Sequence, residues 1–240
     1  MKALLTRLEE DAAFVPASGF VACALACRRS ERLIFAGLDF SVAAGGVLVL
    51  TGPNGSGKSS LLRLMAGLTP PDAGLLAWEG VPVADDRAAH RMRLHFIGHQ
   101  DALKPVLSVQ ETLSFWAGMR GSHAVEAGLE RFRLRTLADW PCRLLSAGQR
   151  RRLSLARLVA SPAPLWLLDE PLTGLDTEAV ADLLAAIAAH RAAGGRVVLS
   201  THAALPLERA HILSLADFAP QGLRKGPRPE EARSATSEDE

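Results

Sequence analysis

Between Gly52 and Ser59 the chain reads Gly52-Pro53-Asn54-Gly55-Ser56-Gly57-Lys58-Ser59, and no other stretch of the 240 residues constrains the fold as tightly. The run fits G-x-x-x-x-G-K-[ST], the pattern of a phosphate-binding loop. Its surroundings fit too. Val47 to Leu50 is apolar throughout and predicts a strand feeding the loop, and Lys58 to Ala66 predicts a helix leaving it. The glycines allow backbone N–H groups to turn inward around phosphates. Lys58 adds a point charge for the β- and γ-phosphates, and Ser59 offers a hydroxyl to Mg²⁺. The helix N-terminus adds partial positive charge. Gly52, Pro53, Asn54, Gly55, Ser56, Gly57, Lys58, Ser59 and the adjoining Ser60 are therefore the candidate nucleotide-binding set.

A second run, Leu165-Trp166-Leu167-Leu168-Asp169-Glu170, is an apolar strand ending in two carboxylates. Parallel α/β sheets gather their ligands at the C-terminal ends of strands. Asp169 there suits Mg²⁺, usually through bound water. Glu170 suits the polarisation of an attacking water. Other segments extend the alternation. Phe20 to Ala26 predicts a buried strand, Leu38 to Val42 a half-buried one, and Val197 to Leu199 another buried one. Ser108 with Glu111 three residues on predicts a helix start. Ala179 to Ala193 predicts a helix ending at Gly194-Gly195. Short apolar strands alternating with helices point to an α/β fold with a largely parallel sheet.

Composition excludes some classes. Hydrophobic residues make up 48% of the chain, too many for intrinsic disorder of its bulk. A formal net charge of +1 gives no electrostatic case for nucleic acid. The three cysteines, Cys23, Cys27 and Cys142, form no C-x-x-C pair, and their odd number fits a reducing compartment. A membrane-spanning helix needs about 20 apolar residues, whereas the apolar stretch Val42 to Leu50 is strand-sized. Met1 to Asp11 carries Glu9, Glu10 and Asp11 where a secretory signal needs apolar residues. The expectation is a soluble chain, cytoplasmic or peripheral to a membrane. Residues 1–17 read as a short extension and 18–221 as one domain, with a helical subdomain at about 101–158. Residues 222–240 read as a disordered tail.

Leu145-Ser146-Ala147-Gly148-Gln149 narrows the family. Here the sequence resembles the ABC ATPases, whose signature is LSGGQ, with Ala147 in place of the commoner glycine. The other elements of that family follow in its order. Gln100 stands at the Q-loop position, and Thr173-Gly174-Leu175-Asp176 resembles the D-loop. His202, after Ser200-Thr201, matches the switch histidine. The resemblance spans about Gly46 to His202. It implies a P-loop NTPase fold of the ABC type: α/β, with a mainly parallel sheet, an N-terminal antiparallel β region and a helical subdomain. It implies ATP and Mg²⁺ as cofactors, with Glu170, His202 and Gln100 catalytic and Ser59, Gln100 and Asp169 at the metal. It also implies that Ser146 and Gly148 contact the γ-phosphate held by a second copy in a head-to-tail dimer, and that Gln149 and Asp176 belong to the nucleotide-binding set. The residues agree in part, since Ser146 can open a helix whose dipole faces an anion. Arg150, Arg151 and Arg152 oppose that dipole unless acidic or phosphate groups sit nearby, and a solvated basic face is the favoured expectation.

Finer text resembles one branch, the ATP-binding subunit of the cytochrome c biogenesis complex. The matching runs include Ala26 to Arg29, Gly98 to Pro105, Glu111 to Trp116 and Pro164 to Pro171. This branch implies a membrane-embedded permease partner and a peripheral place on the cytoplasmic face of the cell inner membrane. It also implies a role in haem export or in releasing a haem chaperone. The alternative is the ATPase subunit of another ABC transporter. Phe115 and Trp116 are candidate anchors for the membrane partner or else core residues. His99 is not expected to bind haem, since it lacks partner ligands. The family's usual aromatic adenine contact has no counterpart here, so Arg28 or Arg29 is the candidate to stack on the base. Nucleotide kinases and GTPases are disfavoured by the signature and by the lack of an NKxD run. ATPases acting on ribosomes or DNA are disfavoured by the lack of a second half or basic arm.

Overall fold

The apolar strands Val47–Thr51 (β3), Leu165–Asp169 (β7) and Arg196–Ser200 (β8) lie side by side at the centre of a five-stranded parallel sheet. Leu94–Ile97 (β6) and His211–Ser214 (β9) complete it, in the order β6-β7-β8-β3-β9. The structure is a computed structural model that describes residues 18–220. The expected extension at 1–17 and the whole of the expected tail at 222–240 therefore lie outside the described residues.

Residues 47–50, 165–168 and 197–199 of the three central strands are apolar throughout because both faces of the sheet are covered there. Side chains alternate between the two faces. Leu48, Leu50, Leu165, Leu167 and Val198 enter one core. Val47, Val49, Trp166, Leu168, Val197 and Leu199 enter the other. The first core is closed by helix Lys58–Met65 (α1) and by an antiparallel sheet. That sheet is built from Phe20–Arg29 (β1), Arg32–Val42 (β2), Ala73–Trp78 (β4) and Val81–Pro82 (β5), in the order β2-β1-β4-β5. The antiparallel region is thus present, and it also draws two strands, β4 and β5, from beyond α1.

The second core is covered by helices. After the short helix Arg87–Met92 (α2) come Val109–Gly118 (α3), Val125–Arg131 (α4), Ala147–Ala160 (α5) and Thr177–Ala192 (α6). Ser108 caps α3 with the capping box predicted for it: its hydroxyl accepts from Glu111 N–H, and Glu111 accepts from Ser108 N–H. Such a cap contributes about 1 kcal/mol. α5 runs across the sheet, with Leu153, Leu155, Ala156 and Leu158 buried. Because β3, β6, β7 and β8 are parallel, their C-terminal ends fall on one edge. That edge receives Gly52–Ser59, Gly98–Gln100, Asp169–Glu170 and Thr201–His202 from four neighbouring strands.

Candidate functional site

The loop after β3 holds its shape through glycine geometry. Gly57 caps α1 with φ 104°, and a Cβ there would sit 2.6 Å from Ile34 Cγ2. Gly52, at φ 135°, would place a Cβ 2.8 Å from Ser56 Oγ. The first turn of α1 has no acidic residue and no side-chain cap, so its N–H groups are left for an anion. Lys58 is 8% exposed and donates from Nζ to the carbonyls of Gly52 (2.8 Å) and Pro53 (3.3 Å). The ammonium thus spans its own loop. It has three donors in all, which leaves one for a ligand. Ser56 Oγ is buried without a hydrogen-bond partner.

A cleft of about 470 Å³ opens over this loop. Lys58, Ser59, Ser60, Asp169, Glu170 and His202 all line it, so strand ends remote in sequence meet there. Glu170 has φ +46°, a left-handed conformation that costs a non-glycine residue about 1–2 kcal/mol. The turn aims its side chain at the cleft. Glu170 Oε1 is buried and makes no hydrogen bond within the chain. His202 Nε2 lies 3.4 Å from it, an ion-pair distance without hydrogen-bond geometry. Asp169 is 5% exposed, and its Oδ1 accepts from the Ser200 hydroxyl at 2.8 Å. The same hydroxyl accepts from Glu170 N–H at 2.9 Å. Ser200 therefore ties both carboxylate-bearing residues to β8.

Gln100 does not line this cleft. It is exposed and lines an adjoining cavity of about 790 Å³, together with Ser59 and Asp169. The three residues expected at the metal thus all line this second cavity, and two of them, Ser59 and Asp169, also line the cleft. Among the described residues, no group of three or more His, Cys, Asp and Glu could hold a metal ion. A hydroxyl, an amide and one carboxylate suit a hard cation that keeps water and phosphate oxygens as its other ligands.

Arg29 and Ile34 form another wall of the cleft, while Arg28 does not line it and spends Nη1 on the Glu31 carbonyl. Of the two arginines considered for the base, Arg29 is the one at the cleft. Thr173 and His99 also line it. Neither was in the expected nucleotide set, although His99 adjoins Gln100 and Thr173 opens the D-loop run that ends at Asp176.

Four other residues of the expected nucleotide-binding set lie elsewhere. Ser146, Gly148, Gln149 and Asp176 do not line the cleft. Ser146 caps α5 with its hydroxyl accepting from Gln149 N–H (3.2 Å), while Gln149 Oε1 accepts from Ser146 N–H (2.8 Å). Gly148 packs so near Gly174 that a Cβ would stand 3.2 Å from its carbonyl oxygen. Asp176 caps α6 through Ala179 N–H and pairs with Arg152. The Ala179 N–H, followed by the Arg152 cation, holds the Asp176 carboxyl below its ordinary value.

The expected basic face is not there. Arg150 donates to the Leu145 carbonyl at 2.7 Å, and Arg152 pairs with Asp176. Arg151 is 4% exposed and reaches the carbonyls of Gly98, Asp169, Glu170 and Pro171 and the Asp101 carboxylate. Trp116 is half-buried beneath the Arg157 guanidinium, 4.4 Å from its ring centroid, whereas Phe115 is 58% exposed. Of the two candidate anchors, Phe115 is the one free to reach a partner.

Comparison with known proteins places this geometry. Residues 35–173 match the family model described as ABC transporter. The cytochrome c biogenesis ATP-binding export protein CcmA of Paramagnetospirillum magneticum is 57% identical over 208 residues, covering 84% of this chain and 96% of that protein. The protein of the same name in Pseudomonas putida KT2440 is 48% identical over 184 residues, 75% of this chain and 88% of that one. Among solved structures, an ATP-binding subunit of an ABC transporter superposes with a TM-score of 0.75 at 26% identity, covering 82% of this chain and 87% of that one. The dimeric ATP-binding cassette MJ0796, in a post-hydrolysis state with ADP and Pi, shares the fold at TM-score 0.69 and 22% identity, covering 77% and 88%.

Proposed function

The chain belongs to the ABC transporter family, among its cytochrome c biogenesis ATP-binding export proteins, and on that premise we propose how its residues hydrolyse ATP and what they drive. It is an ATPase. Its work is to power a membrane ABC complex in c-type cytochrome biogenesis. The alternative, another ABC transporter's subunit, is disfavoured by 57% identity over 96% of a relative's length.

The observation that carries this proposal is that Lys58 and Glu170 line one cleft, with Glu170 Oε1 making no hydrogen bond within the chain and lying 3.4 Å from His202 Nε2. The Gly52–Ser60 loop and the start of α1 bind the phosphates through backbone N–H groups. Ser59, Gln100 and Asp169 would hold Mg²⁺, which when bound supplies positive charge against the β- and γ-phosphate oxygens. Glu170 Oε1 takes the proton from the attacking water, and His202 orients that water and the γ-phosphate. Arg29 and Ile34 face the base.

One cleft leaves Ser146 and Gly148 unused, and the N-terminus of α5 opens at exposed Ser146. In our reading, two copies pair head to tail, each covering the other's phosphates with this helix start. A two-fold pairing does so with one self-complementary surface. The cassette MJ0796 is dimeric, and we propose the same pairing for this chain. No helix among the described residues is long and apolar enough to cross a membrane. We place the chain at the cytoplasmic face of the inner membrane, held by a permease subunit that Phe115 helps to grip. No nucleic acid and no haem ligand enter this reading.

The test compares Glu170→Gln with Lys58→Ala in the assembled complex. Glu170→Gln should lower turnover by about 100-fold or more, the scale of a lost general base, and leave ATP affinity intact. Lys58→Ala should weaken ATP binding itself. Parental turnover in Glu170→Gln, or a loss of ATP binding like that of Lys58→Ala, would show that Glu170 is not the base. For the pairing, Lys58→Ala and Ser146→Arg subunits are mixed. A heterodimer has one site with both defects and one with neither, so the mixture should recover activity that neither variant has alone.

A further inference from the structure

We propose that Arg151 is a positioning residue for ATP hydrolysis: its guanidinium fixes the backbone turn that aims Glu170 and locks that turn to the segment carrying Gln100. The inference rests on the reading of Glu170 as the base given above.

A guanidinium has five N–H donors in one plane, and every one of Arg151's has an acceptor. Nη1 donates to the Gly98 carbonyl at 2.9 Å and to Asp101 Oδ1 at 3.3 Å. Nη2 donates to the carbonyls of Asp169 at 3.1 Å and Glu170 at 2.8 Å. Nε donates to the Pro171 carbonyl at 3.4 Å. The side chain is 5% exposed, and a buried cation is costly unless paired and fully hydrogen-bonded.

The choice of acceptors separates positioning from packing. Three are consecutive carbonyls, on Glu170 and on the residue to either side of it. Pinning all three restrains the φ and ψ of Glu170, the residue held at φ +46°. The other two acceptors, on Gly98 and Asp101, bracket His99 and Gln100 in sequence. One rigid plane therefore ties the carboxylate end of β7 to the end of β6. It stands on α5, the helix that starts at Ser146. Lysine offers three donors around a point and glutamine two, so neither can meet five acceptors arranged around a planar fork.

The experiment uses the assembled complex with Arg151→Met and Arg151→Lys, each alone and combined with Glu170→Gln. ATP affinity, steady-state turnover and single-turnover hydrolysis are measured. Arg151→Met should lower kcat by about 100-fold, the scale of a reacting group misplaced by an ångström, with ATP affinity kept. Arg151→Lys should recover about tenfold of that loss by restoring some of the donors. In the Glu170→Gln background, adding Arg151→Met should cost less than about threefold more, because residues acting as a unit are non-additive. A merely structural arginine would multiply the two losses. Multiplied losses, or parental kcat in Arg151→Met beside an inactive Glu170→Gln, would overturn the inference. Parental turnover in Glu170→Gln would overturn the base assignment and the inference with it. If Arg151→Met fails to fold, Arg151→Lys carries the test: parental kcat or lost ATP affinity there would sink it.

Discussion

Ser200→Ala is the smallest change that should disturb both carboxylates of the site at once. The residue is fully buried at the end of β8, and its hydroxyl makes two bonds. It donates to Asp169 Oδ1, and a hydrogen bond to a charged group contributes about 1.5–3 kcal/mol. It accepts from Glu170 N–H, and leaving a buried donor unpaired costs about 1–3 kcal/mol. The two are not independent, and Asp169 and Glu170 both line the cleft, so water can replace part of what is lost. The expected destabilisation is therefore near the lower end, about 2–3 kcal/mol. Function should suffer separately. Glu170 keeps its left-handed turn by restraint, and without Ser200 its carboxylate swings. Turnover should fall by about tenfold or more, while ATP binding at the Lys58 loop persists. Urea unfolding of the isolated chain measures the first effect, and steady-state hydrolysis by the assembled complex the second. A stability change below about 0.5 kcal/mol together with parental turnover would show that the Ser200 bridge does nothing for the carboxylates.

Stability should fall as pH drops below about 6.5. Burial, then the neighbouring Arg157 cation, pushes His95 down to about 3 from an ordinary 6.5, with Arg120 and His190 also adding unfavourable charge. Folded His95 stays neutral where the unfolded chain takes up a proton, so its stabilisation is complete above 6.5 and is lost toward 3. The loss is about 1.4 kcal/mol per pH unit from this residue. His90 and His190, also held low mainly by burial, push in the same direction. A stability flat or rising from neutral pH down into that window, in denaturant titrations, would contradict this. Gly57→Ala should weaken ATP binding by about tenfold or more, since its Cβ strains the loop at φ 104° and meets Ile34; parental affinity in a nucleotide titration would refute it.

What the sequence made legible was local. Val47 to Leu50 and Leu165 to Leu168 are apolar throughout because both faces of the sheet are covered, and that run-like pattern can be read without neighbours. The loop at Gly52–Ser59 carries its chemistry in adjacent residues. β6 was missed because His95 interrupts its apolar run; the ring is buried and bonded to the Ser161 carbonyl, a partner far along the chain. β4 and β5 were missed because their strand character comes from pairing with β1 and with each other. Ser200 was in view beside His202, but nothing in its neighbours marks it as a bridge between residues on another strand.

Arg151 shows the limit most sharply. Four of its five acceptors are main-chain carbonyls, which have no side-chain signature at any spacing. A weaker signal was still present. Arg151, Leu155 and Leu158 stand at i, i+4 and i+7, so they share one face of α5, and Leu155 and Leu158 are buried. Arg150 and Arg152 lie off that stripe and remain partly exposed, with partners near the helix start. Read as a run of three charges, the arginines suggest a solvated face. Read by helical phase, the middle one must enter the core, where it needs a full set of acceptors. The strand ends that α5 crosses are the place in this fold where unpaired carbonyls are available. The phase of α5 therefore turns a surface charge into a clamp on Glu170, and shifting that phase by one residue would bring Arg152 or Arg150 inward instead.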